Sequence, residues 1–191
     1  MKTMLTRAFA APTLLALLLT GCGTSHQVGS VDPETGRLRT DATMGVGTAS
    51  ATVVKSEPVN LDDFGSRIFV HGAEFYVQQT RELALFDTVI EPDEMERIVV
   101  RERLGDRVSS VHTLIGWNQL AEHYGPFLVL KPDVRRDGNR RYLQLKAIDP
   151  GTGDELFLAE RHMDFAWTGV TDQNTRYPLF NAFIDWLELN Q

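Results

Sequence analysis

Residues 127–159 read FLVLKPDVRRDGNRRYLQLKAIDPGTGDELFLA. Phe127–Leu130 is a short apolar run suited to a buried strand. Tyr142, Leu143, Leu145, Ala147 and Ile148 form a second β-prone segment, and Leu156–Ala159 a third. Two turn signals separate them, Asp137-Gly138-Asn139 and Asp149-Pro150-Gly151-Thr152-Gly153-Asp154. Both are rich in residues that accept unusual backbone angles or bond their own main chain. The stretch therefore reads as a β-meander closed by two hairpins.

Upstream and downstream the apolar spacing changes from two to about 3.6. A helix capped by Asp62 or Asp63 is expected to run past Ile68, Phe75, Tyr76 and Gln79 to Leu83. Phe86–Ile90 contains a short strand, and Pro92 with Asp93 and Glu94 opens a second helix through Met95, Ile98 and Val99. Ile115–Tyr124 reads as a third helix, stopped by Gly125-Pro126. Pro178–Leu189 carries Leu179, Phe180, Phe183, Ile184 and Leu187 on one stripe. Helices clustered around a meander indicate an α+β fold: a single, mostly antiparallel sheet with helices packed against it.

The first 22 residues have a different character. Lys2 and Arg7 precede an apolar stretch, Ala8–Leu19, that is short for roughly 30 Å of hydrocarbon. Leu19-Thr20-Gly21-Cys22 follows, with the sole cysteine of the chain at its end. This tetrapeptide resembles the lipobox of bacterial lipoproteins. That resemblance implies a signal peptide over residues 1–21, cleavage before Cys22 and acylation of its thiol. Small residues at 20 and 21 let a peptidase reach the backbone, and two or three acyl chains suffice for stable anchoring. Gly23 stands where an aspartate would resemble an inner-membrane retention signal. The implied location is thus the outer membrane, lipid-anchored and facing the periplasm.

From Gly23 to about Ser50 the chain is rich in Gly, Ser, Thr and Ala, and its apolar residues (Val28, Val31, Leu38, Met44, Val46) are isolated. Such composition buries too little surface to offset ordering. Residues 22–50 are therefore expected to form a lipidated cysteine and flexible tether, spanning roughly 30 Å on average, ahead of a globular domain over residues 51–191. The whole chain carries a net charge of −7, and Lys2 and Arg7 are the only charges in residues 1–21, leaving −9 beyond them. A surface so acidic repels phosphate backbones and argues against nucleic acid as a partner.

Within the globular part, three segments form a recognisable pattern. Leu85-Phe86-Asp87-Thr88-Val89-Ile90-Glu91-Pro92-Asp93-Glu94-Met95 is followed by Leu120-Ala121-Glu122-His123-Tyr124-Gly125 and Phe127–Leu130. It ends with Leu143-Gln144-Leu145-Lys146-Ala147-Ile148-Asp149-Pro150-Gly151-Thr152-Gly153-Asp154. The pattern is similar to the periplasmic α/β domain shared by curli-secretion lipoproteins, activator lipoproteins of penicillin-binding proteins and the amino-terminal domain of the Tol system's propeller protein. The chain lacks the length and the amphipathic hairpins for a secretion barrel. Phe165–Gly169 and Tyr177–Asn181 also fall outside the shared pattern. The resemblance implies a non-enzymatic adaptor, or an accessory subunit of an envelope complex, that binds another envelope protein. The contrasting readings are an auxiliary lipoprotein of a transport complex and a cell-wall hydrolase.

No residue pattern supports catalysis. Ser109 and Ser110 precede His112 but lie in no nucleophile elbow. His26, His71, His112, His123 and His162 show no metal-ligand spacing, and no cofactor beyond covalent lipid on Cys22 is expected. Asp149–Glu160 has acids at the ends of a twelve-residue window, but Gly151 and Gly153 occupy ligand positions, so a turn is the better reading. Two features stand out as partner contacts. Arg135, Arg136, Arg140 and Arg141 bracket one hairpin tip of an acidic protein, suited to an acidic surface or a lipid head group. Trp186 falls off the apolar stripe of the last helix, where an exposed indole would anchor an interface.

Overall fold

The computed structural model describes residues 27–40, 50–163 and 172–190. The meander is its spine. β4 (Leu128–Asp137), β5 (Arg140–Ile148) and β6 (Glu155–His162) pair antiparallel in sequence, with Val134 opposite Leu143 and Leu145 opposite Ala159. β1 (Thr52–Ser56) adds antiparallel to β6 and forms one edge of the sheet. On the other side β2 (Arg67–Val70) lies parallel to β4, and β3 (Thr88–Ile90) lies parallel to β2. The order is β1-β6-β5-β4-β2-β3, a mixed six-stranded sheet in which three of the five pairings are antiparallel. The α+β class is as the sequence indicates.

β2 corrects one expectation. The helix anticipated from Asp62 to Leu83 is three elements: a 3-10 turn at Leu61–Phe64, then β2, then α1 (Glu74–Leu83). Asn60 caps the turn through its side chain, and Gly65, at φ 59°, ends it in a left-handed conformation. Ile68, Phe69 and Val70 are fully buried because helices cover the strand on both faces. A doubly covered strand has no alternation to read.

Two apolar layers sandwich the sheet. On one face Ile68, Val70, Leu128, Leu130, Leu143, Leu145, Ala147, Phe157 and Ala159 meet α1 and α5 (Tyr177–Glu188). On the other, Phe69, Ile90, Phe127 and Val129 meet α2 (Pro92–Arg101) and α3 (Leu114–Tyr124) through Met95, Ile98, Trp117 and Leu120. A short α4 (Asp172–Thr175) leads into α5.

The tether expectation fails for residues 27–40. Val31 and Leu38 form an isolated antiparallel bridge, and Leu38 is 2% exposed within the larger core. Gly29 exchanges two hydrogen bonds with the Gln79 side chain, at 2.8 and 2.9 Å. Leu38 does the same with Asn181, and Arg37 pairs with Asp185 and Glu188. These contacts fasten the segment against α1 and α5. Isolated apolar residues sufficed because side-chain amides on two helices satisfy its backbone, so little apolar area was needed.

Candidate functional site

Among the described residues, part of the sheet has no helix above it, and side chains converge there. β2 pairs with β4 only through Leu130, so β4 from Lys131 to Asp137 has β5 as its one strand neighbour among the described residues. The hairpin thus extends beyond the end of β2. Pro132, which has no N–H to donate, lies in this outer segment, where a strand tolerates proline.

Alternation sends Asp133 and Arg135 of β4, Tyr142, Gln144 and Lys146 of β5, and Leu158, Glu160 and His162 of β6 to the face opposite α5. α2 and α3 cover β2, β3 and the base of β4 instead. On the bare face the polar groups order one another. Arg135 donates two hydrogen bonds to the Glu160 carboxylate, at 3.0 and 2.9 Å, and its guanidinium lies 4.2 Å from the Tyr142 ring centre. Gln144 Nε2 donates to the same carboxylate at 3.1 Å. The Arg135 hydrogen bond is the main reason the Glu160 carboxyl titrates below the ordinary glutamate range.

Lys146 Nζ sits 3.3 Å from Asp133 and 3.7 Å from Glu155. Burial pushes the Asp133 carboxyl up, but the Val134 N–H and Lys146 outweigh it and leave the carboxyl lowered. The result is a ladder of fixed charges in alternating sign across three strands.

The four arginines divide between the two faces. Arg135 is half-buried in the ladder, whereas Arg136, Arg140 and Arg141 are exposed at the turn. Arg136 and Arg141 stand directly opposite in the register, and Asp137 opposite Arg140. Opposed like charges on a ladder are destabilising on their own.

Trp186 does not belong to this surface. It is 2% exposed, packs against Phe157 and Phe183, and donates its indole N–H to the Glu57 carbonyl at 2.9 Å. The apolar side of α5 is wider than a single stripe, with nine of its residues buried.

The remaining candidates have local roles. Asp149 accepts from the Gly151 N–H and the Thr152 hydroxyl, which makes the 149–154 segment a self-bonded turn. His112 presents its ring nitrogens to His71 and Glu96, at 3.3 and 3.4 Å, while the Ser110 hydroxyl accepts from the His112 backbone. His123 is exposed in the last turn of α3. Sequence reading missed the His71–His112 contact, since the two lie 41 residues apart. It also missed Glu160 as the partner of Arg135, which follows only from the strand register. Leu19, Thr20, Gly21, Cys22, His26 and Phe165–Gly169 lie outside the described residues. Among the described residues no helix is long and apolar enough to cross a membrane.

The sequence matches no family model and no curated protein. Among solved structures, the C-terminal domain of LpoB from Salmonella enterica is similar at 18% identity. The alignment covers 57% of this chain and 87% of that one, with a TM-score of 0.39.

Proposed function

We propose that this chain is an envelope lipoprotein, held to the outer membrane by acyl groups on Cys22, whose domain serves as a non-enzymatic adaptor for another envelope protein. The reading is supported at the amino terminus by the Leu19-Thr20-Gly21-Cys22 pattern and in the domain by one observation. The bare face of β4, β5 and β6 carries charges already held in place by Arg135–Glu160 and Lys146–Asp133. Groups ordered before contact lose less freedom when a partner binds, and alternating charges select partner and register. Arg135, with both carboxylate oxygens engaged and an aromatic ring beneath it, is the anchor of that face.

Photo-crosslinking side chains placed at Lys146 and Leu158, on the bare face, test the proposal in intact envelopes. One and the same protein adduct is expected from both positions and none from Glu82, an exposed residue of α1. Equal adducts from Glu82, or turnover of cell-wall polymer by the purified protein, would overturn the adaptor reading. Cys22→Ala is expected to leave the protein in the soluble fraction. Continued sedimentation with membranes would remove the anchor.

A further inference from the structure

The strap leaves the fold at a defined point. Gln27 is tied into the fold on both sides of its peptide: its N–H donates to Asp172 Oδ2 at 2.7 Å, and its carbonyl accepts from the Tyr177 hydroxyl at 2.6 Å. Five residue steps separate it from Cys22. At roughly 3.3–3.6 Å per residue, the exit point lies within about 18 Å of the acylated cysteine.

A chain of contacts then links the exit point to the hairpin. Asp172 opens α4, and the Asn174 carbonyl accepts from Arg161 Nε at 3.0 Å. Arg161 ends β6 beside Met163, whose N–H bonds the Arg141 carbonyl at 2.8 Å. Gln27 and the β4–β5 turn therefore share one end of the sheet. The opposite end holds Asn190 against Val59 and Trp186 against Glu57.

We propose that Arg136, Arg140 and Arg141 rest on the phosphates of the lipid head groups of the membrane that holds Cys22, and so set the orientation of the domain. This rests on the lipid-anchor reading. Three observations favour a lipid surface over an acidic protein. The chain is too short to carry this end away from the bilayer. Arg136, Arg140 and Arg141 are exposed at the β4–β5 turn, and a planar guanidinium suits phosphate oxygens. The chain beyond residue 21 carries −9, so its net charge is repelled by anionic lipid and attraction must come from a local basic cluster such as this turn. The charge ladder on the bare face stays open to a protein partner.

The test uses the full acylated protein in vesicles of phosphatidylcholine with 30% phosphatidylglycerol. Because Cys22 is the only native cysteine and is blocked by acylation, Asn139→Cys at the turn and Glu122→Cys at the opposite end can each carry a fluorophore. Quenching by spin-labelled head groups is expected to be strong at 139 and weak at 122. Reversing Arg136, Arg140 and Arg141 to Glu should abolish the difference while the protein stays bound through its lipid. Loss of about fivefold in orientational preference is expected per guanidinium, from about 1 kcal/mol each near an anionic surface. Near-ultraviolet signals of Trp117 and Trp186 report that the variant is folded.

Equal quenching at both positions, or no response to charge reversal, overturns this inference and leaves the anchor intact. Quenching at 139 that needs added membrane protein assigns the arginines to an acidic protein and also overturns it. Vesicles that remain unloaded, with an unmodified thiol by mass spectrometry, sink the anchor and the orientation together.

Discussion

Leu38 and Asn181 exchange a reciprocal pair of hydrogen bonds: the Leu38 N–H donates to Asn181 Oδ1 at 2.8 Å, and Asn181 Nδ2 donates to the Leu38 carbonyl at 2.9 Å. An amide side chain on α5 thus takes the place of a neighbouring strand for a segment that has none on that side. Asn181→Leu keeps the size but leaves both backbone groups of Leu38 without their partner. A loss of about 1–3 kcal/mol is expected, close to the cost of unsatisfied polar groups. The local effect should be larger than the global one. Amide exchange of residues 27–40 is expected to rise well before the rest of the domain, and uniform protection in the variant would refute the clamp.

The ion pairs of the same strap make its docking sensitive to acid. The Arg37 guanidinium lowers the Glu188 carboxyl below its ordinary value, chiefly by hydrogen bonding. A carboxyl depressed in the folded state stabilises it above the unfolded pKa, and that contribution is lost as pH falls through the folded one. Trypsin resistance at Arg37 and Arg39 should therefore hold at neutral pH. Protection factors of the strap amides, which correct for the slower intrinsic exchange in acid, should then fall below about pH 4.5, the ordinary glutamate value. Glu188→Gln should show the lower protection already at neutral pH.

Leu38 itself is the apolar anchor of the segment. Removing most of a core leucine costs about 2–5 kcal/mol, and Leu38 is 2% exposed in contact with the main cluster. Leu38→Ala is expected near the lower end, since a surface segment can partly collapse, and urea unfolding would measure it. A variant as stable as the parent would return residues 27–40 to the tether that composition suggests.

The parts of the fold legible in sequence are those in which one residue's environment is set by its neighbours along the chain. Leu143, Leu145 and Ala147 alternate because only one face of β5 is covered, and Gly138 and Gly153 mark the turns with positive φ. Ile68, Phe69 and Val70 gave no such signal, being buried on both faces. The strap was hidden because its stability lies in Gln79 and Asn181, polar residues far away in sequence. The arginines of the site were visible as composition, but their division into a half-buried Arg135 and an exposed turn depends on β5 and β6 registering Glu160 beside them. Trp186 was misplaced because a stripe drawn from large aliphatic spacing underestimates how much of α5 is enclosed by β6 and the Glu57 segment.

Gly116 supplies a test of packing that needs no functional assay. A Cβ there would stand 1.5 Å from the Ser110 carbonyl oxygen, in backbone that cannot swing aside as a side chain would. The first turn of α3, capped by Thr113, is thereby pressed onto the 108–112 loop. Gly116→Ala, normally stabilising in a helix, is expected to destabilise by about 3 kcal/mol or more. A thermal midpoint equal to that of the parent would mean the loop and helix are farther apart than described.

His71, in contact with His112, sets a pH window distinct from that of the carboxylates. His71 Nε2 lies 3.3 Å from His112 Nδ1, a contact that requires one ring to donate and the other to accept. Burial, then His112, then Lys131 lower the His71 pKa, while Glu96 on α2 lies 3.4 Å from the far side of His112. A histidine lowered in the folded state binds fewer protons there than in the unfolded chain once pH drops below about 6.5. By linkage, stability then falls with falling pH through that region. The depressed Asp133 and Glu160 carboxyls act in the same direction, but only around and below the ordinary carboxylate range. A decline in the urea midpoint between pH 7.5 and 5.5 is thus assigned to His71. His71→Gln, which keeps a donor and an acceptor but does not titrate, should flatten that decline while leaving the acid limb unchanged. An identical slope in parent and variant would place the proton uptake elsewhere and dismiss His71 as the cause.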